Sequence, residues 1–347
     1  MRNRLVQSPR FQRWAARFPL TRPIARRKSA ALFDLCAGFV YSQILAACVA
    51  LDVFERLRHG PQDIATLAQS LAVPPARLRA LLKAAAALEL GAALLGNPGV
   101  RDMIAHHSRL YADLADPVAL LRQQDGAPGL SDFWPYAAAD SPDRVDPERA
   151  APYTELMAAS QALVAEDILS AWRFDRHRHV LDLGGGNARF AESLANATQE
   201  TRITVFDLPG VIALADRRLA GTALADRILT HAGDFFRDPL PEGADLVTLV
   251  RILHDHADDR ALALLKRVRR ILPADGQVLV AEPMSGTRGG ERAGDAYFGL
   301  YLMAMGSGRP RSMDETCDML RAAGFHPKPL KTARPLLARA VIGIPVT

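Results

Sequence analysis

Cysteine and aromatic residues are scarce in this sequence. Its 347 residues include three cysteines, Cys36, Cys48 and Cys317, and 6% aromatic residues. The cysteines are far apart and lack metal-ligand spacing, so we expect reduced, buried thiols in a cytoplasmic protein and neither a disulfide framework nor a zinc site. The beginning of the chain also lacks the charged, apolar and small-residue regions of a signal peptide, and secretion is not expected.

Acidic residues are absent before Asp34. Residues 1–29 form a basic arm in which Phe11, Trp14 and Phe18 are interleaved with cationic residues. The cationic residues are Arg2, Arg4, Arg10, Arg13, Arg17, Arg22, Arg26, Arg27 and Lys28. One interpretation is a solvated leader. Because each Lys or Arg adds about 1 kcal/mol of attraction to an anionic membrane surface, peripheral membrane contact is an equal alternative. Nucleic acid is a weaker third option.

Long uninterrupted apolar runs are also missing. The uncharged segment 35–51 lies near the lower length limit of a membrane span. Ser42 and Gln43 interrupt it, and Asp34 and Asp52 flank it closely. We therefore predict a long helix over 30–58 that is buried, in a subunit interface, and not a span.

A helix-turn-helix pattern follows. Residues 64–73 and 75–82 are two apolar-periodic segments separated by Pro74, with Pro75 suited to the first turn of the second helix. This winged-helix-like pattern is compatible with DNA binding. The second helix, however, carries only Arg and Lys, without the Asn or Gln side chains that pair with base edges. The pattern therefore favours an interaction domain over a DNA reader.

Three consecutive glycines follow a short apolar run in the second half of the chain. Residues 180–183 predict a buried strand, and Gly184 to Gly186 predict a tight turn into a helix whose N-terminus faces a ligand. A dinucleotide fingerprint would have a third glycine where Arg189 stands, which weakens that interpretation. Asp207 ends the next apolar run, about twenty residues after the glycines, where an acid binds a ribose diol in NAD and S-adenosylmethionine (SAM) enzymes alike.

Three further motifs contain polar residues near the ends of predicted strands. They are Gly233-Asp234-Phe235-Phe236, then Arg251-Ile252-Leu253-His254-Asp255-His256 after the strand 245–250, and Ala281-Glu282-Pro283 after the strand 277–281. Ligands of open α/β sheets bind at such strand ends. A metal site on His254 and His256 is not favoured, because no third ligand has suitable spacing.

These five motifs, in this order, resemble the SAM-dependent small-molecule O-methyltransferases of the caffeate and acetylserotonin type. The resemblance implies an α/β fold with a doubly wound, Rossmann-like sheet, mostly parallel with an antiparallel C-terminal strand. It also implies a helical, winged-helix-like N-terminal dimerisation domain and hence a homodimer. The expected domains are the arm 1–29, a dimerisation and connecting region 30–150, and a SAM-binding domain 151–347.

The resemblance also implies roles for individual residues. His254 would be the general base, and Glu282 the acid that orients it through its other ring nitrogen. The alternative for His254 is a structural histidine bonded to Asp255 or to backbone. No metal is implied, and Met157 lies in a segment that resembles one lining the ligand site. Helical spacing places Phe298, Leu302 and Met305 on one face, which is either ordinary core or, with Met157, the wall of an apolar acceptor pocket. The expected SAM-binding residues are Gly184, Gly186, Asp207, Leu208, Gly233, Asp234, Phe235 and Arg251.

The sequence departs from the family at three points. His256 stands where the family has a tryptophan, and Pro310 stands where plant members have a second acid. Val250, which is followed by Arg251, stands where plant members have a lysine. These changes argue against a plant-type phenolic acceptor.

Other segments are similar to the carotenoid branch of the family, the hydroxyneurosporene or demethylspheroidene O-methyltransferases of phototrophic bacteria. They are 132–136, 156–161 and 294–312. This similarity implies methylation of the tertiary hydroxyl of an acyclic hydroxycarotenoid. We expect a cytoplasmic enzyme, and the membrane interpretation of the basic arm would place it peripherally at the inner face of the cytoplasmic membrane. Alternatives are another small apolar hydroxyl compound, a bacteriochlorophyll-type C-methylation, or, in a different class, a winged-helix DNA-binding regulator.

Several local predictions concern the remaining segments. We expect irregular helices and loops that join the domains over 97–152, with His106 and His107 as surface or loop histidines. Helices are predicted over 261–271 and 295–305, a capping box at Ser312 and Glu315, and a final strand over 338–346.

Overall fold

A computed structural model describes residues 8, 10–11, 14–15, 18–91, 98–122, 130, 147–333 and 338–346. Much of the basic arm and the segment 132–136 lie outside the described residues. The chain divides into two compact units, Met1–Ala105 and His106–Thr347. The domain boundary predicted at residue 150 falls within a helix, Pro147–Ala171.

The first unit is helical. Its helices are α1 (Arg22–Ala50), α2 (Val53–Arg56), α3 (Ile64–Ser70), α4 (Pro75–Ala87) and the first half of α5 (Pro98–Asp113). The predicted pair of helices over 64–82 is confirmed, and the Asp63 carboxylate caps α3 by accepting hydrogen bonds from the N–H groups of Ala65 and Thr66.

The predicted helix over 30–58 is interrupted. Helix α1 ends at Ala50, and Asp52 adopts a left-handed conformation, with φ of 52°, before α2. Among the described residues, α1 alone is long and apolar enough to cross a membrane by length and composition, and almost none of its apolar stretch is buried within the chain. Cys36 on this helix is exposed, so the prediction that all three cysteines are buried was wrong for it, whereas Cys48 and Cys317 are buried.

The second unit contains a seven-stranded sheet. Its strands are β1 (His179–Leu183), β2 (Arg202–Asp207), β3 (Ile228–Ala232), β4 (Leu246–Val250), β5 (Gln277–Glu282), β6 (Phe325–Pro329) and β7 (Arg339–Pro345). The strand order is β3-β2-β1-β4-β5-β7-β6. The first five strands are parallel, and β7 is antiparallel to β5, as predicted.

Two edge strands were not predicted. Strand β3 exposes most of its side chains, and β6 contains two prolines. Proline within an apolar run argues against a central strand, but it is tolerated at an edge, where one side of the strand needs no ladder bonds. The central strand β4 is buried at every position because helices cover both faces of the sheet.

The second unit contains seven more α-helices among its described residues, several of which connect the strands and cover the sheet. They are α6 (Pro117–Arg122), α7 (Pro147–Ala171), α8 (Arg189–Ala197), α9 (Pro209–Leu219), α10 (Asp258–Ile271), α11 (Phe298–Met305) and α12 (Met313–Ala322). The predicted helix over 261–271 is confirmed and begins three residues earlier, and both halves of the capping box at Ser312 are present.

Two predictions in this part were only partly right. The segment 97–152 is not irregular throughout, because α5 is a regular helix of 16 residues. The helix predicted over 295–305 begins instead as a π-helix, Arg292–Tyr297, and becomes α-helical at Phe298.

Strand β1 is the point at which the strand order reverses. Strand β2 lies on one side of it and β4 on the other, so the connections that leave β1 and β4 diverge to opposite faces. A crevice forms at the carboxyl ends of the strands at such a point. The glycine turn after β1 and the His254 segment after β4 therefore meet at the same edge of the sheet.

Candidate active site

The glycine turn after β1 is packed too closely for side chains. Gly184 and Gly186 have φ of 71° and 61°, which favours glycine, and a Cβ on Gly184 would lie 2.2 Å from the Ile252 side chain. A Cβ on Gly185 would lie 2.5 Å from Oδ2 of Asp182. The turn therefore presents bare backbone to the crevice.

Asp207 holds this turn in place. Its carboxylate accepts hydrogen bonds from the N–H groups of Gly186, at 2.8 Å, and Leu208, at 2.7 Å. Burial raises the pKa of Asp207 to about 6, although both backbone hydrogen bonds lower it. The carboxylate also lines the crevice, where an acid can accept hydrogen bonds from a ribose diol.

The Gly233–Phe236 segment forms the adjoining wall. Gly233 does not line the crevice; a Cβ there would lie 2.6 Å from the Phe206 ring, so the glycine is needed for packing. Asp234 accepts a hydrogen bond from the Phe236 N–H at 2.7 Å, and the Phe235 ring lines the crevice.

His256 takes part in the same wall. Its ring packs edge-on against Phe235 and Phe236, with centroids 5.7 and 4.9 Å away, and the Arg260 guanidinium lies 4.0 Å above the Phe236 ring. The histidine thus makes aromatic contacts at the position where the family has a tryptophan.

One pocket of about 280 Å³ joins these elements to the helices. Its glycine side consists of Gly184–Gly186, Asp207, Leu208, Asp234 and Phe235. Its helical side consists of Met157, Phe298, Tyr301, Leu302 and Met305. Arg251 and His254 line the pocket as well. Of the site residues predicted from the sequence, Gly233 and Glu282 are the ones that do not line it.

Arg251 joins the two sides. It follows β4 with a left-handed backbone, φ of 61°, which is uncommon for a residue with a side chain and is found at functional sites. Its guanidinium Nη2 lies 2.8 Å from the Met157 sulfur on α7. The strained backbone thus directs this cation into the pocket.

His254 lies in a 3-10 turn, Leu253–Asp255, and is 4% exposed. Its Nε2 lies 3.2 Å from Oδ1 of Asp255, and its Nδ1 has no partner at hydrogen-bonding geometry among the described residues. Burial, followed by the positive charges of Arg251 and Arg311, lowers the pKa of His254 well below its usual value. The ring is therefore neutral at pH 7 and can accept a proton.

Glu282 does not contact the imidazole ring, so this part of the prediction was wrong. Its Oε1 accepts a hydrogen bond from the backbone N–H of His254 at 3.1 Å. The first N–H groups of a 3-10 turn have no partners within the turn, and Glu282 at the end of β5 lies where it can satisfy them. Burial raises the pKa of Glu282 to about 7, and Arg311 and the backbone N–H groups lower it.

Asp255 is the acid that contacts the ring. Burial raises its pKa to about 8, while Arg251 lowers it and Glu282 raises it. From the sequence, this contact was expected only in the alternative in which His254 is a structural histidine. Geometry assigns the ring partner to the neighbouring residue and leaves Glu282 to position the backbone.

Arg311 follows Pro310, the residue that stands where plant members have a second acid. It is 1% exposed and donates hydrogen bonds to the Leu253 carbonyl at 2.6 Å and the His256 carbonyl at 2.7 Å. It also donates to the Asp258 carboxylate at 2.9 Å. The guanidinium thus clamps the backbone on both sides of His254. In the sequence, only the difference from the family at Pro310 pointed to this segment, because no sequence pattern marks an arginine that will be buried.

The crevice fits SAM. The Gly184–Gly186 backbone allows close approach, and Asp207 is placed for a ribose. Oδ1 of Asp182 accepts a hydrogen bond from the Thr248 hydroxyl at 2.6 Å, whereas Oδ2 is buried without a partner among the described residues. Such an oxygen at the edge of the pocket suits a ligand cation. Within the described residues, no group of three or more His, Cys, Asp or Glu side chains could hold a metal ion.

Comparisons with known proteins agree with this geometry. Residues 111–326 match the O-methyltransferase domain, and residues 33–93 match the O-methyltransferase dimerisation domain. The chain is 42% identical to the demethylspheroidene O-methyltransferase of Cereibacter sphaeroides, over 98% of this chain and 93% of that protein. It is 39% identical to the Rhodobacter capsulatus protein of the same name, over 97% of this chain and 88% of that one.

A solved structure supports the fold. The crystal structure of human N-acetylserotonin methyltransferase in complex with SAM aligns with a TM-score of 0.79 at 24% identity, covering 92% of this chain and 98% of that one. The dimerisation domain supports a homodimer. From the family match over most of its length and the crevice at the reversal of the sheet, the chain belongs to the O-methyltransferase family and is a SAM-dependent enzyme.

Proposed function

We propose that this enzyme transfers the methyl group of SAM to the tertiary hydroxyl of an acyclic hydroxycarotenoid. The observation that carries the proposal is the neutral, buried His254 placed between the glycine side and the apolar helical side of one pocket. Two relatives that match nearly the whole chain are named for demethylspheroidene, which favours this acceptor class over other hydroxyl compounds and over a DNA-binding role.

The glycine side binds SAM, which supplies an electrophilic methyl group on a sulfonium. Asp207 would accept hydrogen bonds from the ribose diol, and the unpaired Oδ2 of Asp182 would attract the cationic end of the ligand. Gly184, Gly186, Leu208, Asp234 and Phe235 would line the nucleoside, and Gly233 allows that wall to pack. Arg251 lines the same pocket and would contact SAM as well.

The helical side binds the acceptor. Met157, Phe298, Leu302 and Met305 remove an apolar chain from water at about 25 cal/mol per Å² buried. The Phe298 and His254 ring centroids are 6.3 Å apart, so an acceptor packed on Phe298 places its hydroxyl near the base. Holding the oxygen in line with the methyl group then supplies most of the catalysis by orientation.

His254 removes the hydroxyl proton. A tertiary alcohol is far less acidic than a phenol, so the proton moves to the imidazole as the carbon–oxygen bond forms and not beforehand. The Asp255 carboxyl at Nε2 stabilises the imidazolium, and Glu282 and Arg311 hold the backbone of the turn. The products are a methyl ether, S-adenosylhomocysteine and a proton.

The basic arm provides access to the membrane in this proposal. A carotenoid dissolves in the bilayer, and the arm's cationic residues would attract an anionic inner surface of the cytoplasmic membrane. Trp14 and Phe18 are stacked, with centroids 5.0 Å apart, and both are exposed. Sedimentation with anionic vesicles at low and high salt tests this point, since an electrostatic contact weakens as salt rises.

The acceptor is tested by incubating the enzyme with labelled SAM and a hydroxycarotenoid in detergent. A labelled methyl ether identified by mass spectrometry is the expected product. A carotenoid whose hydroxyl has been eliminated serves as the matched control and should give no label. Methylation of a phenolic compound with no transfer to the hydroxycarotenoid would contradict the proposed acceptor.

A further inference from the structure

Two histidines of α5 pair with two tyrosines of the segment 292–305. Nε2 of His106 lies 3.1 Å from the Tyr301 hydroxyl, and Nε2 of His107 lies 2.7 Å from the Tyr297 hydroxyl. Both histidines are half-buried, so the prediction that they are surface or loop residues was wrong. We call these contacts the His–Tyr pairs.

The His–Tyr pairs lie beside an apolar cluster. Its buried members include Leu110, Leu130, Leu302, Ala304 and Met305. Polar groups in such surroundings are retained when they are bonded to one another, because an unbonded one costs about 1–3 kcal/mol. The pairs therefore keep polar atoms in place next to the helical side of the pocket.

Only one tyrosine of the pairs lines the pocket. Tyr301 is a lining residue and is 6% exposed, whereas Tyr297, one helical turn earlier, does not line it. Their rings are stacked, with centroids 5.6 Å apart and planes 21° apart. The Tyr301 ring also packs edge-on against Phe298 at 6.3 Å, the same ring that faces His254.

The Tyr301 hydroxyl lies within electrostatic reach of the catalytic turn. Burial raises the pKa of Tyr301, the positive charge of Arg251 lowers it, and Asp255 raises it. The phenol is therefore protonated at neutral pH. A phenol has one donor hydrogen and two acceptor lone pairs. In the tautomer with hydrogen on Nε2, His106 donates to one lone pair of Tyr301, and the phenol keeps its hydrogen for another acceptor. Its lining neighbours Phe298 and Leu302 offer no hydrogen-bonding group of their own.

We propose that Tyr301 binds the oxygen of the acceptor by a hydrogen bond and that His106 is the positioning residue for its hydroxyl. This inference rests on the proposed acceptor site. A tertiary hydroxyl gives its proton to His254 and directs one lone pair at the methyl carbon, which leaves a second lone pair free. Donation from Tyr301 to that lone pair fixes the rotation of the hydroxyl about its carbon–oxygen bond.

The pairing also predicts specificity. An acceptor that has an oxygen next to a long apolar chain satisfies both the phenol and the apolar wall. A pure hydrocarbon would leave the phenol with an unused hydrogen-bonding position in a buried site, and its binding is disfavoured. Tyr301 therefore distinguishes hydroxylated acceptors from the hydrocarbons that share the membrane with them.

The test is steady-state kinetics of Tyr301→Phe with the hydroxycarotenoid and saturating SAM. Loss of one hydrogen bond between neutral groups should raise KM for the acceptor about three- to tenfold, while SAM affinity measured by calorimetry stays unchanged. Tyr297→Phe is the matched control, because it removes the other His–Tyr hydrogen bond from the same helix but away from the pocket. It should lower the thermal midpoint as much as Tyr301→Phe does and leave KM unchanged.

A double-mutant cycle tests the role of His106. His106→Phe should raise KM about as much as Tyr301→Phe, and the double variant should show no further rise, because both changes remove one shared function. Equal KM for wild type and Tyr301→Phe, or equal KM changes for Tyr301→Phe and Tyr297→Phe, would overturn the proposal. A wild-type enzyme that makes no methyl ether would instead overturn the proposed acceptor, and with it the inference that rests on it.

Discussion

The glycine side and the helical side of the pocket are built by different means. On the glycine side, backbone groups are held by Asp207 and by close packing at Gly184 and Gly185. On the helical side, side chains of α7 and α11 form the surface. The glycine side accepts one kind of ligand, because its shape depends on positions where only glycine is tolerated. Substitutions on the helical side can change which acceptor binds without disturbing the sheet.

The largest expected effect separates chemistry from cofactor binding. His254→Ala should lower kcat about a hundredfold or more, because it removes the proposed base. The other histidine that lines the pocket, His256, is packed against Phe235 and Phe236 on the glycine side. SAM affinity, measured by calorimetry, should stay within about twofold of wild type. Comparable losses of kcat and SAM affinity would mean that the two sides are not independent.

The reverse effect is expected on the glycine side. Asp207→Ala removes an acceptor of two backbone hydrogen bonds and the proposed ribose contact, so Kd for SAM should rise about tenfold or more. With saturating SAM, kcat should fall much less than in His254→Ala. Asp207→Asn, which has the same shape, distinguishes loss of the charge from collapse of the turn. An unchanged Kd in Asp207→Ala would remove this acid from the cofactor site.

Asp255→Asn examines the acid that contacts the base. We expect kcat to fall about tenfold, because a neutral amide stabilises an imidazolium less than a carboxylate does. Burial raises the pKa of Asp255 to about 8, so in wild type the rate should rise with pH as the carboxyl ionises towards pH 8. The Asn variant should lack this rise in its kcat–pH profile.

Glu282→Gln is the control for that profile. It should keep the rise in kcat with pH, since Glu282 contacts the backbone of the turn and not the ring. If kcat no longer rose with pH in Glu282→Gln but still rose in Asp255→Asn, Glu282 and not Asp255 would be the acid that acts on the imidazole ring.

The smallest expected effect is on stability. Burial raises the pKa of Glu282 to about 7 from the usual 4.5, so the folded protein binds more protons than the unfolded chain between these values. Ionisation of Glu282 therefore lowers the free energy of unfolding as pH rises from 4.5 to about 7. Glu282→Gln should lack this part of the slope, and thermal unfolding of both proteins across this range measures the difference. Parallel curves would contradict the raised pKa.

The glycine side could be predicted from the sequence more fully than the helical side. Gly184 and Gly186 directly follow one recognisable strand, and Asp207 ends the next. Few other structures require this combination, so the sequence indicated the role of each. Met157 was placed by resemblance, and helical spacing placed Phe298, Leu302 and Met305 on one face without deciding between core and pocket. Tyr301 was missed on the same helix. Tyrosine among apolar residues looks like ordinary core, and nothing near it in sequence reveals a partner at His106, 195 residues away.

The sequence by itself determined the strand–turn–helix order, the glycine turn, the acid after β2 and the presence of His254 after β4, because these depend on local periodicity and on which residues tolerate a turn. The tertiary structure alone decided that Asp255 contacts the ring, that Glu282 and Arg311 hold the backbone of the turn, and that His106 meets Tyr301. Hydrogen bonds between distant segments depend on how strands and helices are placed in space, and the spacing of residues along a chain does not contain that placement.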